Sequence, residues 1–376
     1  MEFRDLKQQY QLHKNQIDNA ILRVVNDTNF ISGRQVNELE ENLAKYVGIK
    51  HCITCGNGTD ALQLALMACN IGPGDAVFVP DFTFFSSGEA VSLVGATPVF
   101  VDIDENTYNI SAVSLENAIN HVKNNSDLIP RVVITVDLFG QPADYETINQ
   151  IADKHHLLVL EDGAQGFGGT IDNRKACSFG DIAITSFFPA KPLGCYGDGG
   201  AIFTDDDEYA DILRSLRVHG KGSDKYDNVR IGMNSRLDTL QAAVLIEKLK
   251  FLDEEIRQCN VVAAEYTNRL KETVKTPAVL QNMISSWAQY TICLKSTRQR
   301  AHVMQCLKEA AIPSAVYYRK PMHCQEAFNN RKYEGLMCPT TEKICGLCLS
   351  LPMHAYLSRE VQKNICDVVI AAIEDN

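Results

Sequence analysis

Between about residues 47 and 205 one pattern recurs: a short β-branched or apolar run, a break of Gly, Pro, Asp or Asn, then a longer run with apolar residues three and four apart. A chain written this way is committed to an α/β domain, because each helix must cross back over the sheet before the next strand begins, which makes the strands mostly parallel. The pattern predicts strands over 51–54, 76–79, 97–102, 132–136, 157–160, 182–186 and 200–203. Helices are predicted between them over 60–69, 86–94, 114–122 and 145–155. After about residue 236 the alternation stops. Residues 238–268 read as one long amphipathic helix or a kinked pair, too long for a simple crossover. Beyond it a strand over 288–294 alternates with helices over 298–311 and 359–373. The expected organisation is a large α/β domain with an N-terminal helical segment over 1–245 and a smaller α+β domain over 246–376.

No apolar stretch approaches the roughly 18 residues that a membrane helix needs. The opening residues also lack the basic-then-apolar form of a signal peptide, so a cytoplasmic protein with no membrane partner is expected. Lys plus Arg number 36 against 47 Asp plus Glu, a net charge of -11, which argues against a nucleic-acid partner but not against a small anionic ligand. The 13 cysteines include two C-x-x-C pairs. Cys52 and Cys55 lie in a strand-like run, where residues three apart face oppositely. Cys345 and Cys348 lie in a segment that can be helical, with no histidine at ligand spacing. Buried free cysteine is the reading for both pairs, and no metal is expected.

Four segments carry chemistry. Gly56-Asn57-Gly58-Thr59-Asp60 opens a predicted helix, where free N–H groups and the positive end of the helix dipole suit a phosphate; such a turn is equally common without any ligand. In Leu158-Val159-Leu160-Glu161-Asp162 an apolar strand ends in two acids, at the edge where α/β sheets meet ligands. An acid there suits a protonated ring nitrogen, and equally a metal or a helix cap. Lys191, hemmed by Phe187, Phe188, Pro189 and Leu193, stands after another strand end, in surroundings that favour the neutral, nucleophilic amine. Cys195-Tyr196-Gly197-Asp198-Gly199-Gly200 then turns back into a strand. Together these supply what pyridoxal phosphate requires: a phosphate anchor, a partner for the pyridinium nitrogen and a lysine for the Schiff base.

At these residues the sequence resembles the DegT/DnrJ/EryC1/StrS family of sugar aminotransferases, fold type I pyridoxal-phosphate enzymes, over nearly its whole length. The motifs that carry the likeness are Asn57-Gly58-Thr59-Asp60-Ala61-Leu62, Pro80-Asp81-Phe82-Thr83-Phe84, Glu161-Asp162-Gly163-Ala164-Gln165, the block from Ser186 to Gly194, and Asn234-Ser235-Arg236-Leu237-Asp238. The resemblance implies that Lys191 forms the Schiff base and shuttles protons, that Asp162 pairs with the ring nitrogen and that Gln165 binds the ring's 3-hydroxyl oxygen. It further implies that Gly58, Thr59 and Ser186 hold the phosphate and that Phe84 stacks on the ring. Asn234 would reach the phosphate of the neighbouring subunit's cofactor, making a homodimer with shared active sites.

Within the family the likeness is to enzymes that aminate UDP-2-acetamido-2-deoxy-3-keto-glucuronic acid for surface polysaccharides, with L-glutamate as donor. It rests on Phe30-Ile31-Ser32-Gly33, on Asn234 to Thr239 and on Val316-Tyr317-Tyr318. Ile31, Gly33, Tyr317 and Tyr318 would then bind the nucleotide sugar, and Arg236 its carboxylate. Another UDP- or dTDP-linked 3- or 4-keto sugar is the alternative substrate, and a non-catalytic pyridoxal-phosphate-binding regulator the alternative function.

Overall fold

The computed structural model describes residues 1–224, 226–329 and 335–374. Two helices come first, α1 (Leu6–Asp27) and α2 (Arg34–Val47). The alternating region follows as β1 (His51–Cys55), α3 (Gly58–Ala68), β2 (Asp75–Pro80), α4 (Ser86–Leu93), β3 (Thr97–Val101), α5 (Ala112–Asn125), β4 (Ile129–Val136), α6 (Tyr145–His155) and β5 (Leu158–Asp162). Two short strands, β6 (Thr170–Ile171) and β7 (Arg174–Lys175), precede β8 (Ile182–Ser186), β9 (Gly200–Thr204) and α7 (Asp207–Leu216). The rest of the chain forms α8 (Thr239–Leu249), α9 (Leu252–Leu270), β10 (Met283–Ile284), β11 (Tyr290–Cys293), α10 (Thr297–Glu309), α11 (Pro339–Leu347), β12 (Cys348–Leu351) and α12 (Arg359–Glu374).

The seven-stranded sheet has the order β1-β9-β8-β5-β4-β2-β3, and only β9 runs antiparallel to its neighbours. This is the mostly parallel α/β sheet that the sequence pattern predicts, and all seven strands predicted between residues 47 and 205 lie in it, whereas the strand predicted over 288–294 is β11, which pairs with β12 in a separate two-stranded sheet. The central strands are covered on both faces: all six residues of β2 are buried, with Val77, Phe78 and Val79 fully so. Each such side chain contributes about 1.5–3 kcal/mol of hydrophobic stabilisation.

The long amphipathic run after residue 238 is a kinked pair, α8 and α9, broken at Lys250 and Phe251. The expected division at 245/246 therefore falls inside α8. We place the boundary at the break instead, because α8 packs on α1 and α2 whereas α9 packs on α12. Beyond it a separate apolar core gathers Tyr266, Trp287, Tyr290, Leu307 and Ile365. All thirteen cysteines are free, and Cys345 and Cys348 fall on different elements, the end of α11 and the start of β12.

One of the bond sets that tie the two domains lies at the start of α11. Helix α11 opens at Cys338, which offers no side-chain cap. Asp102, after β3, accepts instead from Thr340 N (2.9 Å), Thr341 N (2.8 Å) and Thr341 Oγ1 (2.9 Å). Asp102→Ala leaves these donors buried without a partner and is expected to lower stability by about 2–3 kcal/mol. Thermal unfolding checks this: an unchanged Tm would mean that the cap carries no weight.

Candidate active site

The carboxyl ends of the parallel strands all open on one edge of the sheet, and the site is built there. After Ser186, at the end of β8, the chain folds into a tight loop closed by Lys191 N to Phe188 O (2.8 Å), Cys195 N to Phe187 O (2.8 Å) and Phe187 N to Gly199 O (2.7 Å). Lys191 is displayed at its head. On the neighbouring strand Asp162 accepts from Ala164 N (3.1 Å) and, on Oδ2, from Ser87 Oγ (3.1 Å), which in turn meets Thr83 Oγ1 at 3.2 Å. Gln165 is fixed at both ends of its amide: Oε1 accepts from Phe139 N (2.7 Å) and Nε2 donates to Tyr318 Oη (3.1 Å). At the far end of the sheet Asn57 caps α3 by accepting from Asp60 N (2.8 Å), leaving the amides of Gly58 and Thr59 at the helix start.

These residues line one cleft of about 730 Å³. Of the residues singled out in the sequence, Gly58, Thr59, Phe84, Asp162, Gln165 and Ser186 belong to it, with Lys191, Tyr317 and Tyr318. Phe84 is 55% exposed and lies over the opening, 6.5 Å from the Tyr318 ring. The hemming of Lys191 is only partly as the sequence implies: Phe187 and Leu193 are buried, but Phe188 is 53% exposed and faces the cleft.

Ile31, Gly33, Asn234 and Arg236 do not line the cleft. They form a second group, in which Ile31 bridges Asp238, Gly33 N donates to Thr239 Oγ1 (3.1 Å) and Arg236 Nη2 donates to Asn234 Oδ1 (2.6 Å). Asn234 is exposed, while the buried Ser235 between them fastens the strip to the cup: Ser235 Oγ accepts from Gly56 N (2.9 Å) and donates to Asp60 Oδ2 (2.7 Å). Of the nearby cations, Arg217 is spent internally on Glu40 (2.5 Å) and Thr54 O (2.7 Å). His219, Lys221 and Arg230 stay near the strip, and Lys225 lies outside the described residues.

Burial sets the proton affinities. It pushes the Lys191 ammonium down from its ordinary value, against the pull of the Asp162 carboxylate and with help from the Arg4 guanidinium. It pushes Asp162 up, against the Ala164 N–H, Lys191 and the Ser87 hydroxyl. A cation placed between them restores the charge of Asp162. Sequence reasoning assigned no role to Ser87, Thr83 or Gln289; Ser87 acquires its part only through Asp162 at the end of β5. One Asp–His–Cys group, Asp81, His323 and Cys338, brings its polar atoms within 4.8 Å of one another. As it stands, Asp81 accepts from His323 N (2.7 Å) and pairs with His323 Nδ1 (2.6 Å), which fixes the segment after Tyr318 against the turn that carries Phe84.

The sequence matches the DegT/DnrJ/EryC1/StrS aminotransferase family over residues 11–370. The chain belongs to this family. It is 46% identical to the UDP-2-acetamido-2-deoxy-3-oxo-D-glucuronate aminotransferase of Pseudomonas aeruginosa, covering 97% of this chain and 98% of that one. A DegT/DnrJ/EryC1/StrS aminotransferase from Brucella abortus superposes with a TM-score of 0.97 at 47% identity, over 99% of both chains. The Bacillus subtilis protein NtdA, solved with bound pyridoxamine phosphate, superposes with a TM-score of 0.88 at 29% identity over 96% of this chain and 82% of its own. The chain is therefore a pyridoxal-phosphate-dependent sugar aminotransferase of fold type I.

The residues present fit that cofactor. At Gly58 a Cβ would stand 2.7 Å from Ser186 Cβ, so only glycine leaves the cup open beside the serine. Gln289 Oε1 is buried beside the cleft with no partner among the described residues, an acceptor waiting for a ligand donor.

Two more carboxyls lie under Asp162. Glu161 is raised from 4.5 to about 7 by burial, opposed by the backbone N–H groups of Cys177, Phe179 and Gly180. Asp137 is pushed well up by burial and then by the charge of Glu161. Both bind protons more tightly folded than unfolded, so each stabilises fully below its unfolded value and loses that stabilisation as pH rises through its folded one, which for Glu161 means from 4.5 to about 7. Cofactor-free protein is expected to show a falling Tm across that window. Asp137→Asn keeps the acceptor for Ala143 N and Tyr145 Oη but removes the titration, and its curve should be flatter. Coincident curves would remove Asp137 as the proton holder.

Proposed function

We propose that the chain moves an amino group from L-glutamate to UDP-2-acetamido-2-deoxy-3-keto-D-glucuronic acid, in the cytoplasmic synthesis of a surface polysaccharide. The observation that carries the chemistry is Lys191, buried and biased toward the neutral amine, in one cleft with Asp162. The substrate reading rests on the Pseudomonas aeruginosa relative, alike over nearly its whole length.

Bound pyridoxal phosphate supplies an electron sink that makes a proton on the amino-bearing carbon acidic. Lys191 Nζ would hold the cofactor through its neutral amine and, when free, would carry that proton away from the substrate carbon and return it on the opposite half-reaction. Asp162 keeps the ring nitrogen protonated, its Oδ2 steadied by Ser87. Gln165, with Oε1 committed to Phe139 N and one Nε2 hydrogen to Tyr318, would offer its other Nε2 hydrogen to the ring's oxygen. Gly58, Thr59 and Ser186 receive the phosphate at the start of α3. Phe84 covers the ring, and Tyr317 and Tyr318 meet the nucleotide sugar.

Ile31, Gly33, Asn234 and Arg236 act from the partner subunit of a homodimer, Asn234 on the phosphate and Arg236 on the sugar carboxylate. In support, they lie outside this chain's own cleft, and apolar side chains beside them are bare: Phe30 is 45%, Val229 56% and Ile231 88% exposed. Another UDP- or dTDP-linked 3- or 4-keto sugar remains the second choice of substrate. A regulator that merely holds the cofactor is disfavoured by the retained amine at Lys191 and carboxylate at Asp162.

Glutamate is expected to bleach the visible absorbance of the loaded protein, and among UDP- and dTDP-keto sugars the 3-keto uronic acid should restore it fastest. Lys191→Ala should show neither change. An absorbance indifferent to glutamate points to the regulator, and a preference for another sugar overturns the substrate.

The shared site has its own test. Lys191→Ala and Arg236→Ala are each expected to be inactive, but after subunit exchange a mixed dimer has one site with both defects and one with neither. Activity should return toward about half per dimer, as a two-fold interface requires. Proven exchange without recovery would place both residues in one chain's site.

A further inference from the structure

We propose that Arg4 is a positioning residue for Lys191, and that the N-terminal arm carrying it is a fixed part of the active site. The inference rests on the reading of Lys191 as the reacting amine.

Arg4 Nη2 donates to the carbonyl oxygen of Lys191 itself (3.3 Å). The arm is held on three sides. Phe3 O accepts from Met353 N in the C-terminal domain (3.0 Å), the Phe3 ring meets Tyr317 of the cleft wall edge-on at 6.3 Å, and Asp5 caps α1 by accepting from Gln8 N (2.8 Å). One short segment thus touches the C-terminal domain, one wall of the cleft and the lysine loop. A second cation does similar work on that loop: Lys248, 2% exposed, donates to Gly194 O at 2.5 Å.

Two cations under one lysine loop, Lys248 buried and Arg4 half-buried, have an electrostatic consequence as well as a geometric one. The groups that face the Lys191 amine are Asp162, which favours its protonation, and Arg4, which disfavours it along with burial. Around Arg4 stand Glu255, Lys248, Asp5, His354, Cys259 and Tyr356. The carboxylate of Glu255 accepts from Gln9 Nε2 (2.8 Å) and the Tyr356 hydroxyl. Arg4 Nη1 is buried without a partner among the described residues. That is a cost at this position unless the charge and the remaining bond serve the loop.

The test reads the amine rather than turnover. In cofactor-free protein, acylation of Lys191 by acetic anhydride is followed against pH by peptide mass, for the wild type, Arg4→Gln and Arg4→Lys. Arg4→Gln keeps a donor for the carbonyl without the charge and should raise the titration midpoint by about half to one pH unit. Arg4→Lys should bring it back. In the loaded enzyme, Arg4→Gln should slow the glutamate half-reaction roughly tenfold with the glutamate KM within about twofold, since the change acts on the reacting amine and not on substrate binding. A midpoint unmoved in Arg4→Gln, with wild-type Tm and circular dichroism, overturns the proposal. An active Lys191→Ala overturns the reading of Lys191 instead, so the two failures are told apart.

Discussion

An amine and a carboxyl group that are both costly to keep charged share one water-poor edge of the sheet, and the arrangement of the cleft follows from that. Burial, helped at the amine by Arg4, holds Lys191 toward its neutral form, and burial holds Asp162 toward its protonated form. Without a ligand the pair is poorly satisfied. A ring that presents a cation to Asp162 and an electrophilic carbon to Lys191 relieves both at once, so the site favours its cofactor by the discomfort of its own groups. The supporting hydrogen bonds leave little freedom elsewhere. Ser87 fixes Asp162, while Phe139 and Tyr318 fix Gln165, so the groups are set before any ligand arrives.

Four neighbouring strands, β3, β2, β4 and β5, end in or are followed at once by aspartate: Asp102, Asp81, Asp137 and Asp162. In sequence they look alike, an apolar run closing on an acid. Their partners separate them. Asp102 caps α11, Asp81 holds His323, Asp137 gathers Ala143 N and Tyr145 Oη, and only Asp162 opens onto the cleft beside Lys191. Three of the four organise loops of the edge on which the fourth works. The C-terminal domain is tied down through the first two, which is how Tyr317 and Tyr318 come to stand over a site built by the other domain.

That comparison also shows how far the sequence can be read. Strands were legible because continuous β-branched runs between Gly and Asp breaks leave few alternatives, and the kinked pair α8 and α9 was legible from its periodicity. Asp162 and Lys191 were legible as a set, since a phosphate cup, an acid and a lysine at strand ends have one common use. What stayed hidden depends on contacts across the fold. Ser87 sits in an ordinary helix, Arg4 in an ordinary N-terminus and Asp137 at an ordinary strand end; each acquires its partner only when the sheet assembles. The short β12 was missed, and α11, whose segment was read only as one that can be helical, has Pro339 in its first turn but borrows its cap from Asp102, 236 residues before Cys338 in the chain.

The candidate residues fall into two groups, and the fold explains why neither group suffices. Those on the carboxyl edge supply the amine, the acid and the phosphate cup, but few cations to meet a sugar acid. Those on the strip from Asn234 to Thr239 supply an amide and a guanidinium, but no nucleophile and no cleft. Ser235 locks that strip to the cup of its own chain through Gly56 and Asp60, so the strip cannot swing freely into the cleft it adjoins. A rigid strip with exposed polar ends, bordered by bare apolar side chains, serves a neighbour better than itself. In the proposed homodimer, two such chains related by a two-fold axis would complete each other with a single kind of contact, the least costly way to bring a second set of charges to a site whose own walls must stay largely uncharged.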